Sequence, residues 1–355
     1  MKKKYRKIKF LFVIVLLIVI AYFTYAIFEN KVSIFNREPT GNEQQEIELE
    51  EEPEPPAPKL QIIDMDSKTR PIAIMVDNEP GAWPQAGLQD AYLIYEIIVE
   101  GGITRMLALY KDADTSKIGP VRSARHYFLD YALENDAVYT HFGFSPQAER
   151  DIRLLHVNNI SGTQADGNAF WRDTRIKGWQ NVFTQISSLT NKATAKKYRT
   201  TSDVTPLLNY SIEEVDYSTD LDAKVANNIR IDYSWAHYVT YEYDPEAKTY
   251  KRFMRGKAHV DRETGNQYTF KNIIVYKARN YPLNDGSGKN RQGLDNLGNG
   301  DGYYITNGSA VPIKWGKTSR KNKTVYKSLD GEEIKINDGN TFIQIQPLTG
   351  ALTIE

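Results

Sequence analysis

The sequence predicts an exported protein of two parts behind an N-terminal transmembrane helix. The first part is an α+β or α/β domain with a mixed sheet, and the second is a smaller, mainly antiparallel β domain. Three observations predict this. Nineteen uncharged residues, Phe10 to Phe28, follow a basic stretch; strand-like and helix-like runs mix between residues 61 and 205; short alternating runs divided by turn signals take over after residue 228.

Six of the residues from Lys2 to Lys9 are basic. At ~1.5 Å per residue, a helix over the following run spans roughly 28 Å, close to the hydrocarbon thickness of a bilayer. Basic flanks stay cytoplasmic. Residues 1–9 are therefore expected to form a cytoplasmic tail, 10–28 a single-pass anchor in the cell membrane, and the rest to be extracellular. A cleavable signal peptide is the competing reading, but its apolar region runs only about 7–15 residues and ends in an Ala-x-Ala-like site. Here Thr24-Tyr25-Ala26 continues into Ile27 and Phe28. The chain has no cysteine, which removes a cysteine-linked lipid, disulfides, thiolate metal sites and thiol catalysis.

Residues 29–60 read as a linker. Glu38 to Lys59 carries eight glutamates and five prolines and too little apolar surface to offset the entropy of ordering, so it is expected to be an extended, solvated stalk. From Gln61 onward, 36 Lys plus Arg balance 36 Asp plus Glu. That balance excludes a non-specific nucleic-acid grip, which needs a basic excess. The remaining ~295 residues exceed a typical single domain of ~100–200, so two domains are expected, at 61–205 and 229–355 with a connector at 206–228.

In the first, Pro71 to Val76 is a short apolar run ending at Asp77-Asn78, a buried strand. Ala91 to Val99 and Ile103 to Tyr110 are β-rich and separated by Glu100-Gly101-Gly102, a tight hairpin. After Gly119-Pro120, the apolar spacing of Ala124, Tyr127, Phe128 and Tyr131 predicts a helix over Val121 to Glu134. Ala137 to Phe142 reads as a strand and Pro146 to Leu155 as a helix. In the second, Ala236 to Tyr243 and Thr249 to Met254 flank the turn Asp244-Pro245-Glu246-Ala247. Tyr268 to Ala278, Gly302 to Thr306, Val311 to Trp315, Thr324 to Ser328 and Thr341 to Gln346 continue the strand pattern, with no helix among them.

The segment Gly119 to His126 is the leading candidate site. Proline suits the first helical position, so a helix is expected to begin near Pro120 with free N–H groups that attract anions. Arg122, Ser123, Arg125 and His126 would occupy its first turns, where the macrodipole disfavours cations unless an anion compensates them. That anion is either a ligand or a protein carboxylate such as Asp77, Glu96 or Glu100. Arg105 follows the glycine turn and would converge on the same place, because strand ends gather near helix starts. Asp77 and Asn78, closing the first strand, would line the pocket. His141 is a second candidate, and Asp77 or His141 are the candidate catalytic residues. Ser145 is better explained as the N-cap of the helix opening at Pro146 than as a nucleophile, because Gly143-Phe144-Ser145-Pro146-Gln147 is not a nucleophile elbow. Phe170-Trp171-Arg172-Asp173 gathers aromatic and charged groups in a loop that would suit a flat or sugar-like ligand, with Arg172 and Asp173 as contacts.

No metal or cofactor is expected. The five histidines are scattered, Asp295 to Asp301 lacks EF-hand spacing, and no phosphate-binding P-loop appears.

Three segments carry a resemblance: Arg70-Pro-Ile-Ala-Ile-Met-Val-Asp-Asn78, Tyr95-Glu-Ile-Ile-Val-Glu-Gly-Gly-Ile-Thr-Arg105 and Ile118-Gly-Pro-Val-Arg-Ser-Ala-Arg125. Phe170 to Asp173, His259 to Gly265, Asn272 to Val275 and Gly331 to Pro347 extend it. Together they resemble the YerB-like family, domain of unknown function 3048, in order from about Thr69 to Pro347. The resemblance implies a two-part exported protein of Gram-positive type without an established activity. Family members are commonly tethered by a lipid on cysteine, so a transmembrane helix would replace that tether here. The family's Pro-His-Asn after the Trp-Arg-Asp motif is replaced by Gly178-Trp179-Gln180-Asn181. A catalytic role for that histidine would leave this chain inactive or working differently.

The expected function is a membrane-tethered extracytoplasmic protein that binds an anionic, phosphate- or carboxylate-bearing envelope ligand, possessing as partners the cell membrane and an envelope polymer or protein. An envelope hydrolase or transferase and a non-catalytic scaffold are the alternatives.

Overall fold

Apolar runs without alternation need protein on both faces, and three of them form the centre of the fold. The computed structural model describes residues 17–22, 24–25 and 59–355, and the fold is that of the unit Ala57–Glu355. β1 (Ile72–Asp77), β2 (Leu93–Ile98) and β3 (Thr104–Tyr110) are buried at every residue. β2 and β3 form the predicted hairpin, turned at Glu100–Gly102. Gly101 and Gly102 have φ of 72° and 73°, open to glycine without steric cost. β4 (Val138–His141) runs parallel to β1, and β5 (Asn159–Ser161) parallel to β4.

Nine strands follow residue 227 that matter for the site: β6 (Asn228–Ser234), β7 (His237–Asp244), β8 (Thr249–Met254), β9 (Asn272–Pro282), β10 (Gly298–Thr306), β11 (Ser309–Lys317), β12 (Val325–Lys327), β13 (Thr341–Pro347) and β14 (Leu352–Ile354). β9 to β13 join the first sheet, which has twelve strands: ten in the order β12-β11-β10-β9-β13-β2-β3-β1-β4-β5, with Gln292–Asp295 pairing β9 and Lys224–Val225 pairing β11 beside this path. β13 lies between β2 and β9, parallel to both. The sheet therefore runs across the boundary drawn from the sequence between residues 205 and 229. β6, β7, β8 and β14 belong to a separate six-stranded antiparallel sheet, the part that matches the expected β domain.

The helices are α1 (Phe128–Glu134), α2 (Pro146–Leu154) and α3 (Ile186–Ala195). Alternation along β1 assigns the layers. Ala73 and Met75 share a core with Phe128, Leu129 and Tyr131 of α1. Ile72, Ile74 and Val76 share another with Ile231, Val239 and Tyr241 of the second sheet and Leu189 of α3. Ser145 caps α2, its Oγ accepting the Ala148 N–H at 3.1 Å.

The predicted helix over Val121 to Glu134 is only half present. α1 begins at Phe128, and residues 118–124 are extended. The N–H groups of Val121, Arg122 and Ala124 donate to the carbonyls of Val182, Met75 and Gly143, so tertiary partners take the donors that a helix would have left free. No helix N-terminus stands at Pro120, and Arg122, Ser123 and Arg125 do not occupy the first turns of a helix.

Residues 17–22 and 24–25 are helical. The rest of the anchor predicted over 10–28, the tail 1–9 and the linker up to residue 58 lie outside the described residues. Among the described residues no helix is long and apolar enough to cross a membrane.

Candidate functional site

β1 and β3 end side by side, with Asp77 opposite Arg105 in the ladder. The extended segment after Pro120 crosses this end, because the Asp77 N–H donates to the Pro120 carbonyl and the Arg122 N–H to that of Met75. The sequence thus delivers Asp77, Arg105, Arg122, Ser123 and Arg125 to one place. They line a cleft of about 800 Å³ together with Glu79, Glu100, Trp179, Trp235, Arg255, Lys289 and Arg291. Six cationic side chains face three carboxylates there.

The cations are unequally satisfied. Arg125 is closed: its Nε and Nη2 donate to the Glu100 carboxylate at 2.6 and 2.9 Å, and Nη1 to the Ala124 carbonyl at 2.8 Å. Burial works against ionised Glu100, but the Arg125 hydrogen bonds and charge hold its pKa below the usual range. Arg291 pairs with Asp285 at 2.6 Å. Arg122 Nε lies 3.2 Å from Asp77 Oδ2, yet neither atom makes a hydrogen bond, and the guanidinium stacks 3.6 Å above the Trp179 ring. Arg105 is buried and forms no ion pair among the described residues; Nη1 donates to the Ser123 carbonyl at 2.7 Å and Nε makes no hydrogen bond. Burial, then repulsion from Arg125, lowers its pKa to about 10 against the attraction of Asp77. Burial raises the Asp77 pKa against the pull of Arg105 and Arg122.

The other predicted site residues are elsewhere. Asn78 is buried, donating to Glu96 Oε1 and Thr104 Oγ1 and accepting from Trp83 Nε1 and Gln85 Nε2. It serves the core and does not line the cleft. His141 is fully buried with both ring nitrogens engaged: Nδ1 lies 2.8 Å from the Gly143 carbonyl and Nε2 3.1 Å from Asn159 Nδ2. A carbonyl only accepts and an amide nitrogen only donates, which fixes a neutral ring with its proton on Nδ1. His141 is structural and does not reach the cleft. His126 stands away from the cleft, where its carbonyl accepts from Arg320; burial lowers its pKa to about 4 against the attraction of Asp151. Phe170–Arg172 is a strand paired with Val182–Thr184, so the predicted loop begins only at Asp173. Asp173 is saturated by Arg175, at 2.8 and 2.6 Å, and by Lys117 at 3.0 Å, which together hold its pKa low. Arg172 donates to Asn181 Oδ1 at 2.7 Å, and the Asp173 N–H to the Asn181 carbonyl at 2.8 Å. These two residues fix the loop that presents Trp179.

Sequence reasoning missed Glu79, Trp179, Trp235, Arg255, Lys289 and Arg291 as site residues. The available signal was position: Trp235 sits in the β6–β7 turn and Arg255 has φ of 49° in the turn that follows β8. It also missed a buried charge network beside the site. Glu96, with no exposed surface, accepts from Asn78, Thr104 and His237 at Oε1 and from Arg252 Nη2 at Oε2, at 2.6 to 2.9 Å. Burial alone would raise its pKa, but the Arg252 charge and these hydrogen bonds pull it down to about 2. Arg252 also meets His259 Nδ1 and the Tyr241 hydroxyl, and His259 Nε2 lies 2.8 Å from Gln85 Oε1.

The comparisons agree with this architecture. The profile described as Protein of unknown function (DUF3048) N-terminal domain matches residues 60–199, and that of its C-terminal domain residues 229–343. "Putative lipoprotein YerB" of Bacillus subtilis (strain 168) is 31% identical over 294 residues, 81% of this chain and 84% of that protein. The crystal structure of YerB from Bacillus subtilis superposes with a TM-score of 0.70 at 29% identity, covering 80% of this chain and 94% of that one.

Proposed function

This chain belongs to the DUF3048 family, and we propose that it is a membrane-tethered extracytoplasmic protein whose cleft binds an anionic, phosphate- or carboxylate-bearing ligand of the cell envelope. The relative's name speaks of a lipoprotein; this chain has no cysteine, and its apolar run 10–28 would be the tether. One observation carries the binding reading. Arg105 is buried at the cleft without an ion pair among the described residues, beside an Arg122–Asp77 contact that makes no hydrogen bond. A buried cation in that state costs free energy that an incoming anion would recover.

In a titration of the full-length chain with phosphate-bearing wall polymer, Arg105→Met plus Arg122→Gln weakens binding on the order of 100-fold, from two lost charge-assisted hydrogen bonds. Raised salt weakens the native chain in the same direction. Equal affinity in the double variant ends this reading.

A second reading, an envelope hydrolase or transferase with Asp77 as general base, is favoured by that carboxyl's raised pKa and its Oδ2 without a hydrogen bond at the cleft wall. It predicts turnover of a wall-polymer substrate that disappears in Asp77→Asn while binding persists. Turnover undiminished in that variant removes Asp77 from the reaction.

A further inference from the structure

Of the five tryptophans, two line this one cleft, delivered by separate elements. Trp179 comes from the loop fixed by Asp173, Arg172 and Asn181, and Gln180 next to it donates to Glu79 at 3.1 Å. One ring face carries the Arg122 guanidinium, while 46% of the residue stays exposed. Trp235 is 94% exposed, yet its turn is clamped: Ser234 Oγ donates to the Gly102 carbonyl and accepts the Ala236 N–H at 3.0 Å. A Cβ on Gly102 would meet that Oγ at 2.8 Å, so the glycine turn and the tryptophan turn are fitted to each other. A hydrogen-bonded turn beneath an open indole is an arrangement for stacking, since only the two side-chain torsions of the tryptophan are left to be ordered when a flat partner arrives.

We infer that the cleft takes an anionic glycan, a sugar ring lying against Trp235 and Trp179 while its carboxylate or phosphate group meets Arg105 and Arg122. This rests on reading the cleft as an anion site and adds the ring to it. A simple anion would leave the Trp235 indole idle, and a neutral sugar would leave Arg105 uncompensated. Sugar hydroxyls both donate and accept, which suits a wall where the carboxylates of Glu79 and Asp77 stand among arginines. The cleft's volume of about 800 Å³ lies within the range of pockets that enclose a ligand of a few rings.

The test titrates the full-length chain with polygalacturonate, maltooligosaccharide and polyphosphate of matched length, read by tryptophan fluorescence and by heat. The acidic glycan binds about tenfold or more tightly than either other probe. Trp235→Ala weakens it by about tenfold, Trp235→Phe by far less, and polyphosphate binding changes by under about twofold. Polyphosphate binding as tightly as the acidic glycan, with both indifferent to Trp235→Ala, overturns the glycan inference and leaves the anion site standing. Maltooligosaccharide binding as tightly as the acidic glycan, or no binding of any charged probe, overturns both.

Discussion

Replacing Arg252 by methionine destabilises the folded chain by about 3–5 kcal/mol, the cost of leaving a buried carboxylate without its counter-charge. Arg252 and Glu96 are both fully buried, 2.8 Å apart, and join β8 of the six-stranded sheet to β2 of the twelve-stranded one. The guanidinium also lies 4.8 Å from the centre of the Phe342 ring on β13, so one side chain touches three strands of two sheets. Methionine keeps much of the volume and removes every donor. Glu96 would then retain Asn78, Thr104 and His237 as donors but lose the charge that keeps it ionised. Adding Glu96→Gln removes the stranded charge, and the double variant recovers a substantial part of the loss. Denaturant unfolding of the native chain, Arg252→Met, Glu96→Gln and the double variant forms the cycle. A single variant within about 1 kcal/mol of the native chain would show that the pair does not hold the sheets together.

That network marks where the sequence stops being readable. The strands themselves were legible, because period and run length are local. Ile72–Asp77, Thr104–Tyr110 and Thr249–Met254 each fall within a residue or so of the runs that announce them, and the glycine pair between β2 and β3 does turn a hairpin. Which sheet a strand joins is not local. β13 is buried throughout, and nothing in its seven residues says that it enters between β2 and β9, its partners on β2 lying about 250 positions earlier in the chain. The same holds for Glu96 and Arg252, separated by 156 positions.

The site was partly legible for a reason that failed. Asp77, Arg105, Arg122 and Arg125 do converge, but a helix start has no part in it. The apolar spacing from Ala124 to Tyr131 fits a helix, and the β-bridges of Val121 to Val76 and of Ala124 to Phe144 override the first half of the predicted one. The alternative drawn from the residues, pairing with Glu100 or Asp77, describes Arg125 fully and Arg122 loosely. Trp235 and Arg255 reach the cleft from turns of the second sheet, which only the completed fold brings there.

Acid weakens this fold from about pH 6.5 downward, before most carboxylates titrate. The cause is histidine held neutral. Burial lowers the His141 pKa from 6.5 to about 4, against the help of the Gly143 carbonyl, and burial with the Arg252 charge lowers that of His259 well below its ordinary value. The folded state then binds fewer protons than the unfolded one between these values. Such a group contributes its full stability above pH 6.5 and loses it as pH falls through the folded pKa, His141 alone accounting for ~3 kcal/mol by pH 4. Glu96, ordinarily near 4.5 and held at about 2, acts in the same sense lower down: its share is present above pH 4.5 and lost toward pH 2. Unfolding free energy measured from pH 8 to pH 3 is therefore flat at first and then falls with a slope of about 1.4 kcal/mol per pH unit for each proton taken up. His141→Asn can keep a donor near the Gly143 carbonyl without a titrating ring. It lowers the plateau by packing loss and removes about one proton from the slope between pH 6.5 and 4. A slope unchanged in that variant means that His141 titrates alike in both states, and the acid sensitivity then belongs to other groups.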